Sequence, residues 1–312
     1  MTRQQRKVVR HPLKFHKSPA RGKPPTHVSR IKNSFIEIRI LNWSNLLTVW
    51  HNTKIIELQR DPKGLVPYGT KVFSQNDEDG IIAEIFRRIN TTNRMFVEIG
   101  VGATENNTLF LLLQGWSGVW ADADRPTLDE AARRYATFRQ KGRLTLVHAY
   151  IGPDNIETLL EASGVPAEPD LLSLDIDGND YHVLEAIRNW RPRVLILEYN
   201  AQFGPESGYV MPFNPNHGGW PGNMAFGAAL SPITELCESK GYALVGCNYN
   251  GVNAFFVRQD LVGSLFSAPF TAVHHWRPFV HPILTIPPVG HPVSDSADLS
   301  NDGHAGAQAA PR

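Results

Sequence analysis

The apolar run 95–100 ends in Glu98-Ile99-Gly100-Val101-Gly102. Two glycines so close together let the backbone turn tightly and approach a ligand, and Glu98 stands where a carboxylate can accept a hydrogen bond from a cationic or hydroxyl group. A nicotinamide-binding loop would place a third glycine at position 105, where this chain has Glu105. That acid would set negative charge where a pyrophosphate meets a helix N-terminus, which disfavours a dinucleotide. The next apolar run, 118–122, closes on Asp122-Ala123-Asp124. An acid at that point is placed to bind the two ribose hydroxyls of an adenosyl group, and Asp122, the first acid after the run, is the better placed of the two.

S-adenosylmethionine fits this pattern, because it has no phosphate and bears a positively charged amino group and a sulfonium. Methyl transfer from a sulfonium needs an in-line nucleophile and a group to take the hydroxyl proton. Three constellations could supply the latter. The first is Asp175, Asp177 and Asp180 with His182; either of the first two would face a pocket mouth, while helix capping competes for Asp180 and a solvated helix face for His182. The second is Glu198-Tyr199-Asn200. Together, Asp175, Asp177, Glu198 and Asn200 offer hard oxygen ligands that would suit Mg²⁺, resembling the divalent-metal site of catechol-type O-methyltransferases. Hydrogen bonding to the acceptor or the adenosyl group is the preferred reading of these four residues. The third is the long loop 201–225, rich in Gly, Pro, Asn and aromatics, in which His217 could serve as base and Trp220 as a stacking platform. An ordered lid without catalytic residues is the competing reading there.

These positions need a scaffold that brings strand ends together, and the chain alternates strand-like and helix-like runs. Strands are expected at 95–100, 118–122, 143–148, 170–175 and 193–199. Helices are expected at 74–90 (Ser74 or Asn76 as N-cap), 107–114, 126–139, 154–162 and 179–189. Five apolar strands separated by helices predict a parallel sheet buried on both faces. A helix over 228–240 then leads to strands 242–247 and 252–258, joined by the turn Asn248-Tyr249-Asn250-Gly251. The expected fold is α/β, a doubly wound seven-stranded Rossmann-like sheet with a terminal antiparallel hairpin, of the class I methyltransferase type. Trp116 and Trp120 are expected in the core.

Several runs resemble the FkbM-type S-adenosylmethionine-dependent methyltransferases: Phe73-Ser74-Gln75 with Glu78-Asp79, Phe96-Val97-Glu98-Ile99-Gly100, Asn107-Thr108, Gly115-Trp116-Ser117-Gly118, Leu174-Asp175-Ile176-Asp177-Gly178 and Gly251-Val252-Asn253-Ala254-Phe255-Phe256. The resemblance covers about residues 72–262. It implies a class I fold and O-methylation of a hydroxyl on a sugar or natural product. Gln75 and Asn107 thereby join Glu98, Gly100, Gly102, Asp122, Asp124 and Asp175 as candidate cofactor-binding positions. The chain departs from the family at Asp122-Ala123-Asp124, where Glu-Pro-Asn is more frequent, and at Asp177, where Glu is common. Acceptor identity does not carry over.

The 312 residues carry a formal charge of +1, which hides an uneven distribution. Residues 1–36 hold ten Lys/Arg and no acid, leaving the remainder at −9. Residues 1–33 are read as a disordered basic arm suited to contacting an anionic surface, 34–70 as an ordered N-terminal extension, 71–285 as the methyltransferase-like domain and 286–312 as a loose tail. The arm lacks the apolar core of a secretory signal and only loosely suits a transit peptide. No run of about 18 uncharged apolar residues predicts a membrane span, and a cytoplasmic location is expected. The expected partner is a small-molecule or sugar acceptor, not a nucleic acid. Cys237 and Cys247 are too few for a disulfide scaffold or a cysteine zinc site and are read as packing residues. No nucleophile elbow or phosphate-cradling loop occurs. Two alternatives stand beside the leading one. One is a metal-dependent glycosyltransferase using the D-x-D patterns Asp122-Ala123-Asp124 and Asp175-Ile176-Asp177, which leaves the glycine loop without a purpose; the other is a non-catalytic methyltransferase-like binding module.

Overall fold

The computed structural model describes residues 48–219, 222 and 224–280. The basic arm, the first part of the N-terminal extension, the C-terminal tail and Trp220 lie outside the described residues. Seven strands form one sheet in the order β3-β2-β1-β4-β5-β7-β6, the class I methyltransferase arrangement. They are β1 (Met95–Ile99), β2 (Ser117–Asp122), β3 (Leu144–His148), β4 (Leu171–Leu174), β5 (Val194–Glu198), β6 (Tyr242–Cys247) and β7 (Asn253–Arg258). The first five run parallel, and β7 lies antiparallel to both β5 and β6.

The strands form where continuous apolar runs can be buried on both faces, and alternate side chains go to opposite sides. Val97, Leu172, Leu195 and Phe256 pack on one face with α6 (Ile156–Ala162), α7 (Asp180–Ala186) and α8 (Leu230–Ser239). Phe96, Trp120, Ile196 and Phe255 pack on the other with α2 (Glu78–Ile89), α3 (Leu109–Leu113) and α4 (Arg125–Arg134). Residues 48–60 are helical and form α1. Here Trp50 meets Tyr249 edge-on at 4.5 Å, and Glu57 pairs with Arg277 at 2.9 Å.

Two expected helices differ in detail. The run 126–139 is two helices, α4 and α5 (Ala136–Gln140), with Tyr135 closing one and opening the other. The run 74–90 becomes helical only at Glu78, behind Asp77. The chain before it is folded back onto the first turn, where Asp79 Oδ2 accepts from the N–H groups of Val72, Phe73 and Ser74 and from the Ser74 hydroxyl. After β7 come two helical turns that the sequence reading does not separate, α9 (Gln259–Val262) and α10 (Ala272–His275). No helix among the described residues is long and apolar enough to cross a membrane.

Strand order reverses between β1 and β4, and a crevice opens beyond their carboxyl ends. The sheet therefore delivers the ends of β1, β2, β4 and β5 to one place.

Candidate functional site

A cavity of about 1350 Å³ lies over those strand ends. Small-molecule sites typically measure about 300–1,000 Å³, so this one has room for a donor and an acceptor together. Its wall is acidic: Glu98 and Glu105 from the β1 loop, Asp122 and Asp124 from β2, Asp175 and Asp177 from β4, and Glu198 from β5. No lysine or arginine among the described residues lines it. Such a wall favours a cationic ligand and repels phosphate.

The glycine loop is held from within. Gly100 has φ +80°, and a Cβ there would lie 1.5 Å from the Asp175 carbonyl oxygen, so only glycine lets the β1 and β4 ends approach this closely. Glu98 is 3 % exposed. Its Oε1 accepts from Asn107 N–H at 2.7 Å, and Oε2 accepts from Thr108 N–H at 3.1 Å and from the Thr108 hydroxyl. The carboxylate therefore shapes the loop before it meets any ligand. Burial pushes its pKa up to about 7, against the pull of those donors. Asn107 donates its side-chain amide to Ser173 at 3.1 Å, and Gly102 N–H bonds to Asn106 Oδ1 at 2.7 Å. Gln75 is exposed at the cavity edge, its carbonyl accepting from Lys71 at 2.7 Å.

At the end of β2 the two acids divide their roles. Asp122 Oδ2 accepts from Val101 N–H at 2.8 Å, which ties the β2 end to the glycine loop, and Oδ1 accepts from Asp124 N–H at 2.6 Å. Asp124 is the N-cap of α4, accepting from Thr127 N–H at 2.9 Å. Hydrogen bonding from the Thr127 side chain, then from its backbone N–H, lowers the Asp124 pKa, and the capping role accounts for the acid without a ligand.

Asp175, Asp177 and Glu198 come together, with one ligand oxygen of each lying within 4.8 Å of the others. Burial first, then the neighbouring carboxyls, drives Asp175 and Glu198 well above the ordinary carboxylate range. Glu198 Oε2 is buried without a hydrogen-bond partner. Asp177 adopts φ +61°, a left-handed backbone uncommon outside glycine. Asp180 folds the segment between them: its oxygens accept from Ile176 N–H at 2.7 Å and Gly178 N–H at 2.8 Å. It closes the loop rather than capping the helix, whose N-cap is Asn179.

The segment after β5 covers this cluster. Asn200 pins it: both side-chain N–H groups go to carbonyls, Met224 at 2.9 Å and Phe226 at 3.0 Å, while Oδ1 accepts from Gln202 N–H at 3.1 Å. Asn200 thus holds the covering segment while also lining the cavity. His182, expected on a solvated face, is partly buried and bonds the Met211 carbonyl at 2.8 Å. Asn179 holds Asn214 through bonds of 2.7 and 3.1 Å. His217 lines the cavity, its Nε2 3.1 Å from the Ile176 carbonyl oxygen. A carbonyl oxygen only accepts, so Nε2 carries a hydrogen, and in the tautomer this selects the lone pair sits on Nδ1.

One polar wall was not anticipated from the sequence. Asn253, directly opposite Glu198 in the β5–β7 register, lines the cavity and is 3 % exposed. Its side-chain N–H donates to Glu78 at 3.0 Å, as does that of Asn248 at 2.9 Å. The available signal was an asparagine opening an otherwise apolar strand.

A family model described as the methyltransferase FkbM domain matches residues 54–242, more than half of the chain. Among solved structures, the chain is similar to a magnesium protoporphyrin IX methyltransferase from Synechocystis PCC 6803 with bound SAM (12 % identity, TM-score 0.39, 58 % of this chain and 77 % of that one). It is also similar to a TehB-like SAM-dependent methyltransferase from Corynebacterium glutamicum (14 % identity, TM-score 0.36, 72 % and 99 %). Likenesses this distant say nothing about the reaction. No curated protein sequence matches the chain. By the extent of the family match, the chain belongs to the FkbM family of S-adenosylmethionine-dependent methyltransferases.

Proposed function

We propose that this protein methylates a hydroxyl oxygen of a sugar or small natural product. The observation that carries the reading is the cavity wall, acidic at the ends of β1, β2, β4 and β5 and free of lysine and arginine among the described residues. The donor fits it: a sulfonium and an ammonium meet carboxylates, and no phosphate needs a cation. Gly100 and Gly102 would let the loop backbone approach the donor, with Gln75, Asn107 and Asp122 around its adenosyl and amino-acid parts. When bound, S-adenosylmethionine supplies an electrophilic methyl carbon whose bonding pair returns to sulfur as the acceptor oxygen takes the methyl group.

The chain's own residues then handle the hydroxyl. His217 Nδ1 is the neutral lone pair able to receive its proton. Asp175, Asp177 and Glu198 orient the acceptor by accepting hydrogen bonds, and the segment pinned by Asn200, Asn179 and His182 keeps water off the reacting oxygen. Tyr150, Phe226 and Phe279 give the cavity ring surfaces on which a sugar face can lie. Residues 71–285 would form the catalytic unit. The same wall disfavours a nucleotide-sugar transferase: a diphosphate finds no cationic side chain, and Asp124 of the first D-x-D pattern is a helix cap.

Calorimetry with S-adenosylhomocysteine should show a single site, and labelled methyl groups should pass to a hydroxylated acceptor in an alkali-stable ether. Absence of binding by folded protein overturns the donor assignment. Label found only on nitrogen overturns the oxygen assignment.

A further inference from the structure

We propose that Asp175, Asp177, Glu198 and Asn253 form a site for one hard divalent cation, Mg²⁺ or Mn²⁺, at the acceptor end of the cavity. The three carboxyls supply ligand atoms all within 4.8 Å of one another. Opposite oxygens around Mg²⁺ lie about 4.2 Å apart and around Ca²⁺ about 4.8 Å, twice their usual bond lengths. Small side-chain rotations would therefore bring all three oxygens onto one ion.

An acidic cluster alone would not establish a site, and the independent observation is Asn253. It is 3 % exposed, and its Oδ1 has no hydrogen-bond partner. Because Glu78 only accepts, the amide nitrogen must face Glu78, which leaves the oxygen as the other end. Register places Asn253 directly across from Glu198, so the two side chains share a face of the sheet. Glu198 Oε2 is likewise buried and unpartnered. Leaving a buried acceptor unpaired costs about 1–3 kcal/mol. Asn253 Oδ1 and Glu198 Oε2 thus stand on paired residues with no protein partner, and a bound cation would supply one to both. No lysine or arginine among the described residues lines the cavity to provide one.

The donor set contains oxygen alone, which selects Mg²⁺ or Mn²⁺ over the softer metals. Glu78 acts behind it: by accepting from Asn253, Asn248 and Asn76, it fixes the direction of the Asn253 oxygen. The role assigned to the ion rests on the O-methylation reading. A hydroxyl bound beside the cation becomes more acidic; its O–H bond breaks, both electrons stay on oxygen, and the proton passes to His217 Nδ1.

The test is a Mn²⁺ titration of chelator-stripped full-length protein, with free Mn²⁺ followed by electron paramagnetic resonance. One site per chain should be found, displaced by Mg²⁺. Asp177→Asn, Glu198→Gln and Asn253→Ala should each weaken it at least about tenfold, while Asp129→Asn on the exposed face of α4 should not. Thermal melts identify any variant that fails to fold, and the isosteric Glu198→Gln keeps the test decisive if another does. Folded protein that binds S-adenosylhomocysteine but no Mn²⁺ overturns the site. Tight Mn²⁺ binding with methyl transfer unaffected by chelator overturns the catalytic role. Failure to bind S-adenosylhomocysteine overturns the underlying function instead, and the cation titration still decides the site.

Discussion

Asp175 and Glu198 stand at the ends of the neighbouring strands β4 and β5, just beyond the paired residues Leu174 and Leu197, with one ligand oxygen of each within 4.8 Å of the other. Two carboxyls brought this close in a buried position favour sharing a proton over both ionising. The arrangement places like charge together for ligand binding at the expense of the fold.

Glu198→Gln should therefore trade activity for stability. Glutamine keeps the shape and can donate to Asp175, and it removes one buried charge. The melting temperature should rise by about 2–4 °C, equivalent to about 1 kcal/mol for a domain of this size. Methyl transfer should fall at least about tenfold. Differential scanning calorimetry beside a label-transfer assay checks both, and a lowered melting temperature would contradict the assignment of stored repulsion.

Glu98 makes a separate prediction about pH. Folding raises its pKa from the ordinary 4.5 to about 7, chiefly through burial. A raised carboxyl pKa means the folded chain holds the proton more tightly. Its contribution to stability is complete below pH 4.5 and is lost as pH rises to about 7, a change on the order of 3 kcal/mol. Asp77, also raised to about 7 by burial and by the Glu78 charge, acts in the same direction. Urea unfolding of the wild type and of Glu98→Gln at several pH values isolates the Glu98 part, since the difference between them should change across that window and level off above it.

The sheet was legible because its strands are unbroken apolar runs between turn residues, and the closing hairpin because Asn248–Gly251 permits little else. Sequence placed most of the candidate acids on the cavity wall, but it could not show which of their lone pairs are already taken. Asp124, Asp180 and Asn200 look like site residues when read along the chain, yet their oxygens accept backbone N–H groups close by in sequence, and Asp122, though on the cavity wall, also ties β2 to the glycine loop. Asp175, Asp177 and Glu198 are brought together only by distances across strands. Asn253 escaped notice because its relation to Glu198 comes from the antiparallel pairing of β7 with β5.

The two glycines of the β1 loop should respond unequally to alanine. At Gly100 the new Cβ would overlap the Asp175 carbonyl, at 1.5 Å, in a left-handed backbone. At Gly102 the nearest atom is the Glu105 carbonyl oxygen at 3.1 Å, and the backbone is ordinary. Gly100→Ala should therefore cost several-fold more stability than Gly102→Ala, whose cost should stay near 1 kcal/mol or below. It should also abolish S-adenosylhomocysteine binding by separating β1 from β4. Melting curves and calorimetry on the two variants make the comparison.

Gly178 offers the most direct probe of His217. A Cβ at this position would stand 2.3 Å from the imidazole ring, so Gly178→Ala must displace His217 from the Ile176 carbonyl. The donor side of the cavity, built on Gly100 and Asp122, is untouched by that change. If His217 takes the acceptor proton, methyl transfer should fall about 10²–10⁴-fold, with S-adenosylhomocysteine affinity within a few-fold of wild type. His217→Ala should reproduce the loss without the steric displacement. Because a missing base matters less once solvent hydroxide can replace it, the deficit in both variants should shrink as pH rises. A deficit constant across pH would instead assign His217 to holding the covering segment.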